Sequence, residues 1–222
     1  MRTLFIVIVT FFYSLTVFGT AQIPDKIIYH GKEYDLIYNP MEIYFKKNPF
    51  KIPEDACIST SLWRRYIATF EVKNNQLYLK DINILVDDTT DHENRIKLKS
   101  IMNDVFPNQD IIKIDWLTGF LVLPYGEIVD YVHAGYDSTY ENYLLLQFEN
   151  GRFKKQKKFK YKEYEVFKEK QFEVFKKTEE YQKMKDDWNG NDSSLDGYIK
   201  RYHTEKYTSI VLNRRNNFSK TT

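Results

Sequence analysis

The chain has 222 residues, is 17% aromatic with 18 Tyr and 16 Phe, and carries a formal net charge of +2. That aromatic load excludes a largely disordered chain, and the near-neutral balance excludes a dedicated nucleic-acid binder, which shows a strongly basic face. Cys57 is the only cysteine, which excludes an intramolecular disulfide, so a sizeable core must hold the fold unaided.

The N-terminus reads as an address. Arg2 is followed by an apolar run from Leu4 to Phe18, and Gly19 and Ala21 place small residues ahead of a cut before Gln22. This is the layout of a secretory signal peptide over residues 1–21. The run is shorter than the roughly 20 apolar residues of a stable span, and no cysteine follows the cut to take a lipid anchor. The sequence therefore predicts an exported protein, periplasmic or secreted, with no stable membrane span after cleavage.

Residues 26–37 predict a hairpin turning at His30-Gly31-Lys32, where Gly31 supplies the positive φ of a tight turn. Asn39-Pro40-Met41-Glu42 has the form of a capping box opening a short helix that ends before Asn48-Pro49. Alternation between Trp63 and Val86 predicts two strands joined at Asn74-Asn75. Thr90 and Glu93 form a second capping-box pattern, which predicts a helix from about Asp91 to Val105. Further strands are expected at Ile112–Trp116, Phe120–Leu123, Glu127–His133 and Tyr140–Phe148. Asn150-Gly151 is a type I′ hairpin signal leading into Arg152–Phe159.

Residues 161–188 contain no Gly or Pro, and Tyr164, Phe167, Val174, Phe175, Tyr181, Met184 and Trp188 recur at helical steps. That pattern predicts one long amphipathic helix, packed on the sheet or projecting from it. Asn189-Gly190-Asn191-Asp192 stops it. An amphipathic piece, Tyr198 to Leu212, follows as a strand or short helix, with a frayed tail from Asn213. The expected whole is α+β. It comprises a leader (1–21), a largely antiparallel sheet of about eight or nine strands with two short helices (22–160), the long helix (161–188) and a C-terminal segment (189–222).

Three stretches carry candidate chemistry. Trp63-Arg64-Arg65-Tyr66 sets two guanidinium groups between aromatics, able to grip an anion or to anchor an interface; the alternative is an arginine tied to an internal acid. Tyr131-Val132-His133-Ala134-Gly135-Tyr136-Asp137-Ser138-Thr139-Tyr140-Glu141 concentrates polar groups around one glycine between strands. His133, Tyr136, Asp137, Tyr140 and Glu141 are its binding candidates, and a structural turn is the alternative. Nucleophilic chemistry would need His133 to reach Cys57 or Ser138. Arg152 to Lys162 is a basic run that suits an anionic lipid, glycan or acidic partner, or else guards a strand edge with lysines. Asp87, Asp88, Asp91 and Glu93 lack EF-hand spacing for calcium, and no zinc cluster, P-loop or dinucleotide fingerprint occurs, so no cofactor is expected.

Trp63 to Val72 with Leu77-Tyr78-Leu79, and Leu117-Thr118-Gly119 with Pro124-Tyr125-Gly126-Glu127 and Tyr131 to Tyr136, resemble segments of a group of small, uncharacterised exported bacterial proteins. The Lys, Asn and Tyr usage is similar to Bacteroidota members of that group. The resemblance covers about a third of the chain. It implies no activity, so no catalytic residue is carried over. The sequence reading is a non-enzymatic envelope protein that recognises a protein or anionic partner, a toxin's immunity partner being one such role. The alternatives are a hydrolase using His133 with Cys57 or Ser138, or a structural envelope protein self-associating through 161–188.

Overall fold

The computed structural model describes residues 20–88, 90, 95–133 and 135–208. The predicted leader before Thr20 and the predicted tail from Asn213 lie outside them. Among the described residues, nine strands form one mixed, mostly antiparallel sheet, and six helices and a 3₁₀ turn complete an α+β fold. No described helix is long and apolar enough to cross a membrane.

Three hairpins are dictated by their turns. Strands β1 (Asp25–Tyr29) and β2 (Lys32–Leu36) turn at His30-Gly31, with φ of 50° and 73°. Strands β3 (Ile67–Lys73) and β4 (Gln76–Asp87) turn at Asn74-Asn75, with φ of 51° and 57°. Strands β8 (Thr139–Glu149) and β9 (Arg152–Lys160) turn at Asn150-Gly151, with φ of 48° and 70°. Paired positive φ values are the type I′ geometry, whose twist matches that of the strands. Gly151 also has a steric reason: a Cβ there would stand 1.7 Å from the carbonyl oxygen of Ile114.

The strands run β2-β1-β3-β4-β9-β8-β7, where β7 is Gly119–Asp130; β5 (Ile96–Ser100) and β6 (Ile112–Lys113) both pair with β4. The β1–β3 pair is parallel. The two ends of the path approach each other, Ile37 N–H donating to the Val122 carbonyl at 3.4 Å. The sheet therefore curls around a core in which Ile27, Phe70 and Leu79 meet Leu121, Leu144, Leu146 and Phe148. β4 joins β9 at one register pair, Gln76↔Arg152, and the buried Gln76 amide knits the joint by donating to the carbonyls of Ile114 (2.7 Å) and Gly151 (3.1 Å). Past that pair, among the described residues, β9 has no strand on that side. Its lysines thus stand along an open edge, where charge discourages pairing with another chain.

Helix α1 (Pro40–Lys47) lies against the core through Met41 and Tyr44. Its predicted capping box does not form: Asn39 makes no side-chain cap bond, because Asn39 and Glu42 are both drawn to partners elsewhere in the chain, described below. The helix predicted over Asp91–Val105 is also corrected. Residues 91–94 lie outside the description, but 96–100 form β5, and only Met102–Val105 (α2) is helical. Ile96-Lys97-Leu98-Lys99 alternates with period two, and pairing with Asp87–Asn83 of β4 satisfies its backbone. The predicted strands Phe120–Leu123 and Glu127–His133 prove to be one strand, β7, that bends at a register shift between Tyr125 and Ile128, with Gly126 at φ 89°.

The predicted single helix over 161–188 is likewise replaced by two, α3 (Tyr161–Phe175) and α4 (Glu179–Asp186). Thr178 makes the break: its hydroxyl donates to the Phe175 carbonyl at 2.7 Å and accepts the Tyr181 N–H at 3.2 Å, closing one helix and capping the next. The reversal, with α5 (Asp192–Tyr202) and α6 (Thr204–Thr208), buries Phe172, Phe175, Tyr181, Leu195, Ile199 and Tyr207 together. A straight helix would leave much of that apolar surface in water. The near end of α3 sits on the outer face of β7–β9, where Tyr164 stacks on Tyr143 at 4.3 Å between ring centroids.

Candidate functional site

The Trp63–Tyr66 motif follows a 3₁₀ turn at Thr60–Leu62, capped by Ser59. Arg65 adopts φ 62°, a left-handed conformation that costs a non-glycine residue roughly 1–2 kcal/mol. Its guanidinium is fixed by the carbonyls of Pro53 (3.2 Å) and Ala56 (2.7 Å). Arg64 and Tyr66 point inward and are buried, while Trp63 is 61% exposed. The two arginines thus diverge, and no common grip forms between them.

Arg64 is the centre of a buried polar network. Nη2 donates to Asp25 Oδ1 at 2.9 Å and to the Ile23 carbonyl at 2.8 Å, and Nη1 donates to the Tyr136 hydroxyl at 2.7 Å. Asp25 Oδ1 also accepts the Ala68 N–H at 2.8 Å. Tyr136 donates to Asn39 Oδ1 at 3.0 Å, and nearby Tyr66 donates to Glu42 at 2.6 Å. These bonds tie together β1, the start of α1, the entry to β3 and the loop before β8. Burial pushes the Asp25 carboxyl up to about 6 against the pull of Arg64 and the Ala68 N–H, and among the described residues its Oδ2 has no partner. Burial works to lower Arg64, but Asp25, Tyr136 and Tyr66 outweigh it and hold the guanidinium above its ordinary value. Burial raises Tyr66 and Tyr136, keeping both as hydroxyl donors.

The second motif lies directly beside the first. Gly135, at φ 54°, forms a parallel bridge with Ala21, and its carbonyl accepts the Gln22 N–H at 2.9 Å. Gln22 Nε2 in turn donates to the Thr60 carbonyl at 2.7 Å, and Ile23 N–H donates to Ser61 at 2.8 Å. Residues 20–23 therefore clasp the 59–63 loop to the 131–138 loop. Ser138 closes the second loop on itself through Val132 N–H (3.1 Å). Tyr131, 59% exposed, lies with its hydroxyl 3.0 Å from His133 Nδ1. Asp137 meets Arg201 of α5 at 3.3 Å, Glu141 pairs with Lys160, and the Tyr140 N–H donates to the Tyr143 hydroxyl.

Of the sequence candidates, Arg64, Tyr66 and Tyr136 are thus brought together inside the molecule, Trp63 and His133 stand outside it, and Arg65, Asp137, Tyr140 and Glu141 have separate local partners. Asp25, Asn39, Glu42 and Gln22 were missed. Asp25 was traceable, since it shares the inward face of β1 with Ile27 and Tyr29. Cys57 bonds to Asp87 at 3.6 Å; burial, and then the Asp87 carboxylate, raise its thiol and oppose thiolate formation. Asp88 accepts from Thr90 and pairs with Lys97, and among the described residues no three His, Cys, Asp or Glu gather as metal ligands. No protein-family model matches the chain, and neither a curated protein nor a solved structure matches it.

Proposed function

We propose that this is an exported, non-enzymatic binding protein of the bacterial envelope that recognises a protein partner through the face built by the 59–66 and 131–140 loops. The observation that carries the reading is the pairing of exposed Trp63 and Tyr131 with a rigid foundation. Both aromatics sit on loops that the Asp25–Arg64–Tyr136 network and the bonds of Gln22 and Ile23 to Gly135, Thr60 and Ser61 fix in place. Aromatic anchors held in place before binding lose little entropy on association and are favoured at interface centres. The leader pattern supports export, and envelope proteins are the accessible partners.

The hydrolase alternative has less support. His133 Nδ1 faces Tyr131, Ser138 faces Val132 and Cys57 faces Asp87, so the three groups have three different neighbours. Self-association through 161–188 also has less support, because Tyr164, Phe172, Phe175 and Tyr181 are buried within the chain.

Affinity capture from envelope extract tests the proposal, with Trp63→Ala/Tyr131→Ala as the comparison protein. The variant should keep the wild-type Tm and lose the captured protein. Equal recovery by a folded variant would reject this face as the binding surface.

A further inference from the structure

The far end of β7 is a strand edge with a charge of its own. Past the bond from Ile37 to Val122, among the described residues, no backbone group pairs with β7 on the side away from β8. Glu127, Ile128, Val129 and Asp130 are all exposed there, the two central residues 50% each. Edge strands are commonly kept from pairing by charge. Here the charge stands only at the two ends, and β-branched apolar residues, which favour strand pairing, occupy the middle. Among the described residues, neither the Glu127 nor the Asp130 carboxylate has an ion-pair or hydrogen-bond partner. Cations on the adjoining elements are already engaged: Lys26 with Asp35, Lys160 with Glu141, Arg201 with Asp137, and Lys32 over the Tyr34 ring at 5.1 Å.

We propose that Glu127–Asp130 is a docking edge for an extended segment of a protein partner, with a basic residue at each end of an apolar pair. The open backbone sets the mode, since an added strand pairs with the row of edge N–H and C=O groups. The acids set the chemistry. Residues opposite each other on paired strands interact, unlike charges favourably and like charges unfavourably. A Lys or Arg opposite each acid, with Val or Ile between, matches this edge whichever way the segment runs. A second copy does not match, because antiparallel self-pairing of the edge sets Glu127 against Asp130. The edge adjoins the loop face but rests on different observations, so the proposal holds or fails separately from that reading.

Titration of the full chain with acetyl-Ser-Lys-Val-Val-Lys-Ser-amide at low salt, followed by backbone amide NMR, tests this. Saturable shifts are expected in β7 beyond Gly126 and in the end of β8 paired with it, with Kd of about 1 mM for so short a segment. The Glu-Val-Val-Glu counterpart should bind more than about fivefold more weakly. Glu127→Gln/Asp130→Asn should weaken the basic peptide about fivefold, the worth of two exposed ion pairs. Methylating the Val amide nitrogens keeps the charge and removes edge donors, and should abolish the shifts. Both substitutions are exposed and keep side-chain shape, so Tm should not change. Equal binding of the two peptides, undiminished binding of the methylated one, or shifts elsewhere on the chain overturns the proposal. Loss of peptide binding in Trp63→Ala also overturns it, by placing the segment on the loop face. Sedimentation of the chain alone should show a monomer; a dimer that protects the Glu127–Asp130 amides from exchange would seat a second copy on the edge and reject the basic segment.

Discussion

The sheet half and the helical half of this molecule hold themselves together by different means. The sheet half places charge in its interior: Asp25 and Arg64, both essentially without solvent contact, cross-link segments that are far apart in sequence. The helical half buries rings, Phe172, Phe175, Tyr181 and Tyr207 in edge-on contact, and its ion pairs, such as Lys200–Glu169, remain at the surface. A buried pair repays its desolvation poorly but penalises every arrangement that separates it. The difference fits the proposed binding face: the sheet half fixes the two loops that would form it, and the helical half only packs.

The largest expected effects break this contrast at its centres. Arg64→Ala strands Asp25 in the interior and should cost about 3–5 kcal/mol, measured by urea unfolding at neutral pH. Phe172→Ala should cost about 3–5 kcal/mol as well, but its loss should fall on the helices, with proteolysis rising within 161–208 while the sheet amides keep their exchange protection. Simultaneous loss of protection in both halves would make them one cooperative unit and end the comparison.

A pH series sharpens it. The folded-state value of Asp25, about 6, lies above the ordinary 3.8, so the folded protein holds this proton more tightly than the unfolded chain does. The resulting stability is present below pH 4 and is lost as pH rises through 6, by about 3 kcal/mol. Asp25→Asn should remove that slope, so the stability of the variant relative to wild type should rise between pH 4 and 7. A flat difference contradicts the assignment. Smaller still, Tyr66→Phe leaves Glu42 without its hydroxyl donor and should cost about 1–3 kcal/mol. At the low end, Arg201→Ala removes the exposed contact with Asp137 between the halves and should change stability by less than about 1 kcal/mol.

The same contrast explains what could be read from the sequence. Hairpins were legible because two residues decide each turn: His30-Gly31, Asn74-Asn75 and Asn150-Gly151 act locally. The break at Thr178 was not, because its cause is the burial of Phe172 and Phe175 against Leu195 and Ile199, which lie well downstream. Strand β5 carried its alternation openly, but the pattern of Thr90 and Glu93 masked it. At the site, Arg64, Tyr66 and Tyr136 stood out by residue type. Asn39 and Glu42 resembled a local capping pair, and only the folded chain supplies the Tyr136 and Tyr66 hydroxyls that outcompete that role.

The clasp formed by residues 20–23 also sets an order of events. The peptide bond between Ala21 and Gln22, where the leader is expected to be cut, lies within the bridge to Gly135, and a peptidase needs that bond extended in its own cleft. Under the export reading, cleavage precedes the closing of the clasp and removes Thr20 and Ala21, so the mature clasp is made by Gln22 and Ile23 alone. A chain that folded first would shield its own processing site, so maturation would be timed by folding rather than by the peptidase.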